Sequence, residues 1–288
     1  MLDALRCYLT ARILLNGLAA LCMLIGSWWS DAADAHMVAT PVSWTFENVR
    51  FRSLLVYDDA IAARRPGLLM VPAWFGVNDT AIRKAEDIAG QRYVILLTDM
   101  YGETIRPRNS DEAHAATKPL LSDRRLMRRR INFALARLRG YADSAPIDPT
   151  RMAAIGFCFG GAAVLDLARS GADISSAISF HGNLTTDDPD LAKQIRARVL
   201  VMNGADDATT SPDFSNFMQE MRQSPAPWEF TVIGHAVHCF TETEATASSG
   251  LCRYDAHAAA QSYSLMSQWL KDGFSNTNQS VIRSDGID

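Results

Sequence analysis

The chain has 288 residues, 48% of them hydrophobic and 21% charged, with a formal net charge of −4. That much apolar material builds a sizeable core and excludes a disordered chain. The mildly acidic balance excludes nucleic acid as an expected partner.

Residues 1–35 stand apart from the rest. Arg6 and Arg12 precede an apolar run from 13 to 26, followed by Asp31-Ala32-Ala33-Asp34-Ala35. A basic segment, a short apolar segment and an Ala-x-Ala ending read as an export signal cleaved after Ala35, with an uncleaved anchor, or a misplaced start codon on a cytoplasmic protein, as the alternatives. Two strands are then expected at 43–46 and 50–56. Buried strands follow at 68–71 and 93–97, around a helix at 79–90. Residues 101–121 carry little periodicity and read as an irregular excursion. A helix at 122–140 contains Arg124-Arg125-Leu126-Met127-Arg128-Arg129-Arg130, which reads as a solvated face rather than a phosphate-binding patch. Beyond it come a strand at 152–155, a helix at 160–170, and strands at 174–180 and 198–203. A helix at 212–223, a strand at 228–233 and a helix at 256–272 complete the alternation. This rhythm predicts one doubly wound, mostly parallel α/β sheet flanked by helices over residues 36–274, with a polar tail at 275–288.

The segment Ala154-Ile155-Gly156-Phe157-Cys158-Phe159-Gly160-Gly161 carries the chemistry. An apolar strand ends at a glycine, a Cys stands where the G-x-S-x-G elbow has Ser, and a helical pattern follows. That turn leaves the sulfur at a helix N-terminus, which favours thiolate. Cys is commonly a buried packing residue, and glycine-rich turns also hold dinucleotides, but the G-x-G-x-x-G spacing is not met. The residues after two later strands decide for a nucleophile. Asn203-Gly204-Ala205-Asp206-Asp207 succeeds one, and Gly234-His235-Ala236-Val237-His238-Cys239-Phe240 succeeds the other. Nucleophile, acid and histidine thus occur in the order of α/β-hydrolases. Asp207 is preferred to Asp206 for its offset from Gly204, and His238 to His235 for its depth in the loop. His181 follows a strand too, but precedes the acid.

Together with Phe75-Gly76-Val77-Asn78, Asp99-Met100-Tyr101-Gly102, Ser179-Phe180-His181-Gly182 and His238-Cys239-Phe240, these residues resemble the dienelactone hydrolase family from about 67 to 270. The resemblance implies an α/β-hydrolase fold and a small ester or lactone cleaved by Cys158, His238 and Asp207 through an acyl-thioester. It implies an oxyanion hole from the N–H groups of Trp74 and Phe159, and no cofactor; no metal site is expected, because the histidines are scattered without ligand spacing. Phe75, Tyr101, His181 and Phe240 are expected to line the substrate pocket.

Three positions depart from the family pattern. Ala73 stands where a Glu meets the resting Cys. Glu103 and Glu242 stand where arginines hold a substrate carboxylate, so these two glutamates are expected to repel one, with Arg106 and Arg108 as nearby substitutes. A neutral or cationic ester is therefore the expected substrate. A catalytically decayed binding protein and a thiol redox role for Cys158 are the competing readings. Cys158, Cys239 and Cys252 follow the leader, and an exported chain would pair two of them, Cys239 with Cys252. The expected protein is an exported monomer without stable membrane association once its leader is cleaved.

Overall fold

The computed structural model describes residues 36–284, with side chains to 275. The leader reading and the last four residues lie outside the described residues. Two antiparallel strands begin the fold, β1 (Met37–Phe46) and β2 (Val49–Asp58). Their two-residue turn, Glu47-Asn48, has positive φ at both positions, the geometry that matches strand twist in a tight hairpin. The remaining strands are β3 (Arg65–Val71), β4 (Val94–Leu97), β5 (Ile147–Phe157), β6 (Ser176–Phe180), β7 (Arg198–Gly204) and β8 (Trp228–Ile233). All belong to one sheet, ordered β1-β2-β4-β3-β5-β6-β7-β8 and parallel from β4 to β8.

Strand residues alternate between two cores. Leu69, Val71, Ala154, Val199 and Val201 face one. Leu68, Met70, Ile155, Phe157, Leu200 and Met202 face the other. Such strands are apolar throughout because both faces are covered. The first core is closed by α2 (Ser110–Ser122), α3 (Arg124–Gly140), α4 (Phe159–Arg169) and α5 (Phe214–Met221). The second is closed by α1 (Asp79–Ala89) and α6 (Ala256–Ser284). The doubly wound sheet expected from the alternation is therefore present.

Three local expectations change. The region read as irregular at 101–121 contains α2, capped where Asn109 Oδ1 accepts from the Glu112 N–H at 3.0 Å. Helix α6 continues to Ser284, well beyond 272. The arginine cluster is not simply a solvated face. Arg124 is buried and donates to Asp166 of α4 at 3.0 Å, while Arg128 pairs with Asp187 at 2.8 Å and Arg130 donates to the Met100 carbonyl at 2.7 Å. Arg169 joins the same buried network, to Asp166 at 3.1 Å and Glu220 at 2.8 Å. These pairs tie α4, which is buried on every side, to α3 and α5.

Candidate active site

Cys158 stands between β5 and α4 as the helix N-cap, at φ 52°. A left-handed backbone at a non-glycine residue is strained, and such strain collects at functional sites. The glycines around it permit the turn. A Cβ on Gly156 would overlap the Gly160 carbonyl, and one on Gly160 would overlap the Val71 carbonyl at the end of β3. The first turn of α4 thus presses against the start of the 72–76 loop. The Cys158 N–H donates to the Phe180 carbonyl at 3.0 Å, fixing the elbow to the end of β6.

His238 Nε2 lies 3.1 Å from Cys158 Sγ. His238 Nδ1 lies 2.7 Å from Asp207 Oδ2, which also accepts from the Thr210 hydroxyl at 2.9 Å. The Thr209 N–H donates to Asp207 Oδ1 at 2.9 Å. The acid and histidine loops are stitched together by the backbone. Ala205 N–H donates to Ile233 and Asp206 N–H to Ala236, at 2.8 and 3.0 Å. This geometry separates the candidates. Asp207 is buried and His238 half-buried, whereas Asp206 and His235 are exposed and lie 3.9 Å from each other.

Electrostatics follow from these contacts. Burial alone would raise the Cys158 thiol, but the neighbouring His181 and His238 rings outweigh it and hold the pKa at about 6. Burial would lower His238, yet Asp207 and Cys158 raise it to about 10. Asp207 resists its own burial through His238, Thr210 and Thr209 and lies below the usual carboxylate range. The favoured state is a thiolate–imidazolium pair backed by a carboxylate.

The expected oxyanion donors lie on either side of the elbow. Phe159 opens α4, so its N–H is among those with no partner inside the helix. Trp74 lies in a turn closed by Gly76 N–H to Ala73 at 2.8 Å, and its carbonyl accepts from Tyr101 OH at 2.9 Å. Of the expected pocket residues, Phe75 is half-buried and lines a small cavity with Ala73 and Glu242. Tyr101, His181 and Phe240 are buried. Tyr101 packs on Phe159 at 5.4 Å, and Phe240 meets the His181 ring edge-on at 5.1 Å.

The two glutamates are not the bare charges expected of them. Glu242 is buried and accepts from Lys84 Nζ at 2.7 Å. It resists burial through His181 and Lys84, which hold its pKa at about 2. Glu103 pairs with Arg50 at 3.1 Å. Arg106 is engaged by Asp99 at 3.2 Å and by the Gly102 carbonyl at 2.8 Å. The link from Lys84 through Glu242 to His181 was missed, because its ends lie on distant segments with no shared motif.

The described chain matches the dienelactone hydrolase family model over residues 51–274. The chain belongs to the dienelactone hydrolase family. An uncharacterised protein of Caenorhabditis elegans is 35% identical over 133 residues, covering 44% of this chain and 84% of that protein. A probable 2-oxo-3-(5-oxofuran-2-ylidene)propanoate lactonase of a Bradyrhizobium species is 27% identical, over 70% of this chain and 84% of that one. A solved structure described as a dienelactone hydrolase-like promiscuous phosphotriesterase from metagenomic libraries is 32% identical. Its TM-score is 0.75, over 83% of this chain and 99% of that one. The family and these neighbours support an ester or lactone hydrolase with a small-molecule substrate.

Proposed function

We propose that the protein hydrolyses a small ester or lactone with Cys158 as nucleophile, His238 as proton carrier and Asp207 as its orienting acid. The observation that carries this reading is the continuous contact from Cys158 Sγ to His238 at 3.1 Å and on to Asp207 at 2.7 Å. The thiolate attacks the acyl carbon and forms a C–S bond. Charge moves to the carbonyl oxygen, where the Phe159 and Trp74 N–H groups are the proposed donors. His238 gives its Nε2 proton to the leaving oxygen as the C–O bond breaks, leaving a thioester. Water then attacks, His238 takes its proton, and the C–S bond breaks to release the acid and regenerate the ion pair.

The paired Glu103 and Glu242 no longer argue strongly against an anionic substrate. The half-buried Trp74 and Phe75 in the loop beside the elbow favour an apolar acyl or alkyl group. We also infer work outside the reducing cytosol, a reading supported by the Cys239–Cys252 disulfide beside the free Cys158. The test of function is p-nitrophenyl acetate hydrolysis by the intact protein and by Cys158→Ala. The proposal expects turnover that iodoacetamide abolishes and that the variant lacks; full activity in Cys158→Ala would refute it.

A further inference from the structure

A second imidazole lies beside Cys158 that the proposed proton relay does not use. His181 follows β6, has no exposed surface, and adopts φ 39°. Its backbone neighbour Phe180 takes the Cys158 N–H at 3.0 Å, so the two residues are held against each other. Its ring stands edge-on to that of His238, with centroids 5.1 Å apart. Its Nε2 lies 2.8 Å from Thr241 Oγ1 and 3.4 Å from Glu242 Oε1. Glu242 is held in turn by the Lys84 ammonium at 2.7 Å and the Thr241 hydroxyl at 3.0 Å.

Two features of this arrangement point to a role. Nδ1 of His181 is buried and has no hydrogen-bond partner within bonding geometry. A buried polar atom in that condition requires an explanation, and the Cys158 sulfur supplies one. The second feature is charge. With Cys158 ionised, the enclosed anions are Cys158, Asp207 and Glu242, while His238 and Lys84 are the cations. Unpaired charge in an enclosed site is costly. The unpartnered Nδ1 of His181 is the group placed to meet the excess negative charge.

We infer that His181 is a positioning residue for Cys158, a second imidazole held by Thr241 and the Lys84–Glu242 pair whose free Nδ1 keeps the sulfur ionised and aimed. His238 is then left to pass its proton to the leaving group. The inference rests on Cys158 being the nucleophile. The titratable groups around His181 are Cys158 at the elbow, His238 and Glu242 after β8, Lys84 on α1 and Tyr263 on α6. Burial and the Glu242 charge keep the Tyr263 phenol neutral, so it does not compete.

The experiment is iodoacetamide alkylation of Cys158 as a function of pH, with thiolate absorbance as a parallel readout. It compares the intact protein with His181→Asn, chosen because Asn tolerates left-handed backbone, and with Glu242→Gln, which keeps the shape and removes the charge. Both variants should titrate at higher pH. Alkylation at pH ~6 should fall about tenfold for every pH unit by which the midpoint rises, and the difference should vanish once the pH exceeds the titration midpoints of all three proteins. A merely structural role would leave this titration in place. The inference is overturned if both variants fold and titrate along the unmodified curve; should His181→Asn fail to fold, Glu242→Gln alone decides. The readout is thiolate rather than turnover. A displaced titration in a protein without esterase activity therefore refutes the proposed function and upholds this inference, and an active esterase with an unchanged titration does the reverse.

Discussion

Cys158 is subject to opposing demands. Burial favours the thiol, while His181, His238 and the α4 N-terminus favour the thiolate, and the balance falls at a pKa of about 6. His238, at about 10, remains protonated through the neutral range. Thiolate forms as pH rises through about 6, and imidazolium is lost as pH rises through about 10. Ester hydrolysis should therefore rise across the first value, hold a plateau, and decline across the second, as read from kcat/KM against pH. A profile centred on an unperturbed histidine would contradict the ion pair. Asp207 orients that histidine, so Asp207→Asn should lower kcat by about 10³–10⁴-fold. Asp206→Asn, at an exposed position, should stay near the unmodified rate; steady-state kinetics of the two variants checks the assignment.

At the scale of elements, α4 does two jobs. Its N-terminus holds Cys158, the proposed nucleophile, and its body is buried on all sides, tied down by Asp166 between Arg124 and Arg169. Asp166→Ala would leave two buried guanidinium groups without their shared partner. Breaking a buried pair from one side typically costs about 3–5 kcal/mol. Urea unfolding of the variant should show a loss of that order, with the denaturant slope unchanged. The helical pattern at 122–140 exposed α3 but not the use of its arginines, because periodicity marks a face and not its partner. Helix α2 was missed for a different reason. Its apolar stripe is short, and Pro119 interrupts the pattern in the last turn. The Asn109-x-x-Glu112 cap was the available signal, since Asn109 caps the Glu112 N–H and Glu112 reaches back to the Arg108 N–H at 2.8 Å.

Across the whole molecule, the disulfide ties the end of the His238 loop to the segment before α6. Cys239 and Cys252 have Cα atoms 5.0 Å apart, and the Arg253 N–H donates to the His238 carbonyl at 3.0 Å. Removing the crosslink frees a loop that carries both His238 and Glu242. Cys252→Ser should lower stability by about 2–4 kcal/mol and reduce esterase activity together, measured by thermal unfolding and turnover. Among the described residues no helix is long and apolar enough to cross a membrane.

Strand–helix alternation, the glycine-framed elbow and the order of Cys158, Asp207 and His238 were all legible in the sequence. Each is a local pattern, set by burial on a sheet or by turns that only glycine permits. The sequence also offered two acids and two histidines, and local pattern preferred Asp207 by its offset from Gly204 and His238 by its depth in the loop. Tertiary structure adds what local pattern lacks: Asp207 is buried against His238, while Asp206 and His235 face solvent. It also turned Glu242 from an expected repulsive charge into the partner of Lys84, from a helix far away in the chain. Such pairings depend on which loops the sheet order brings together at its carboxyl edge, and no periodicity in the chain encodes that meeting.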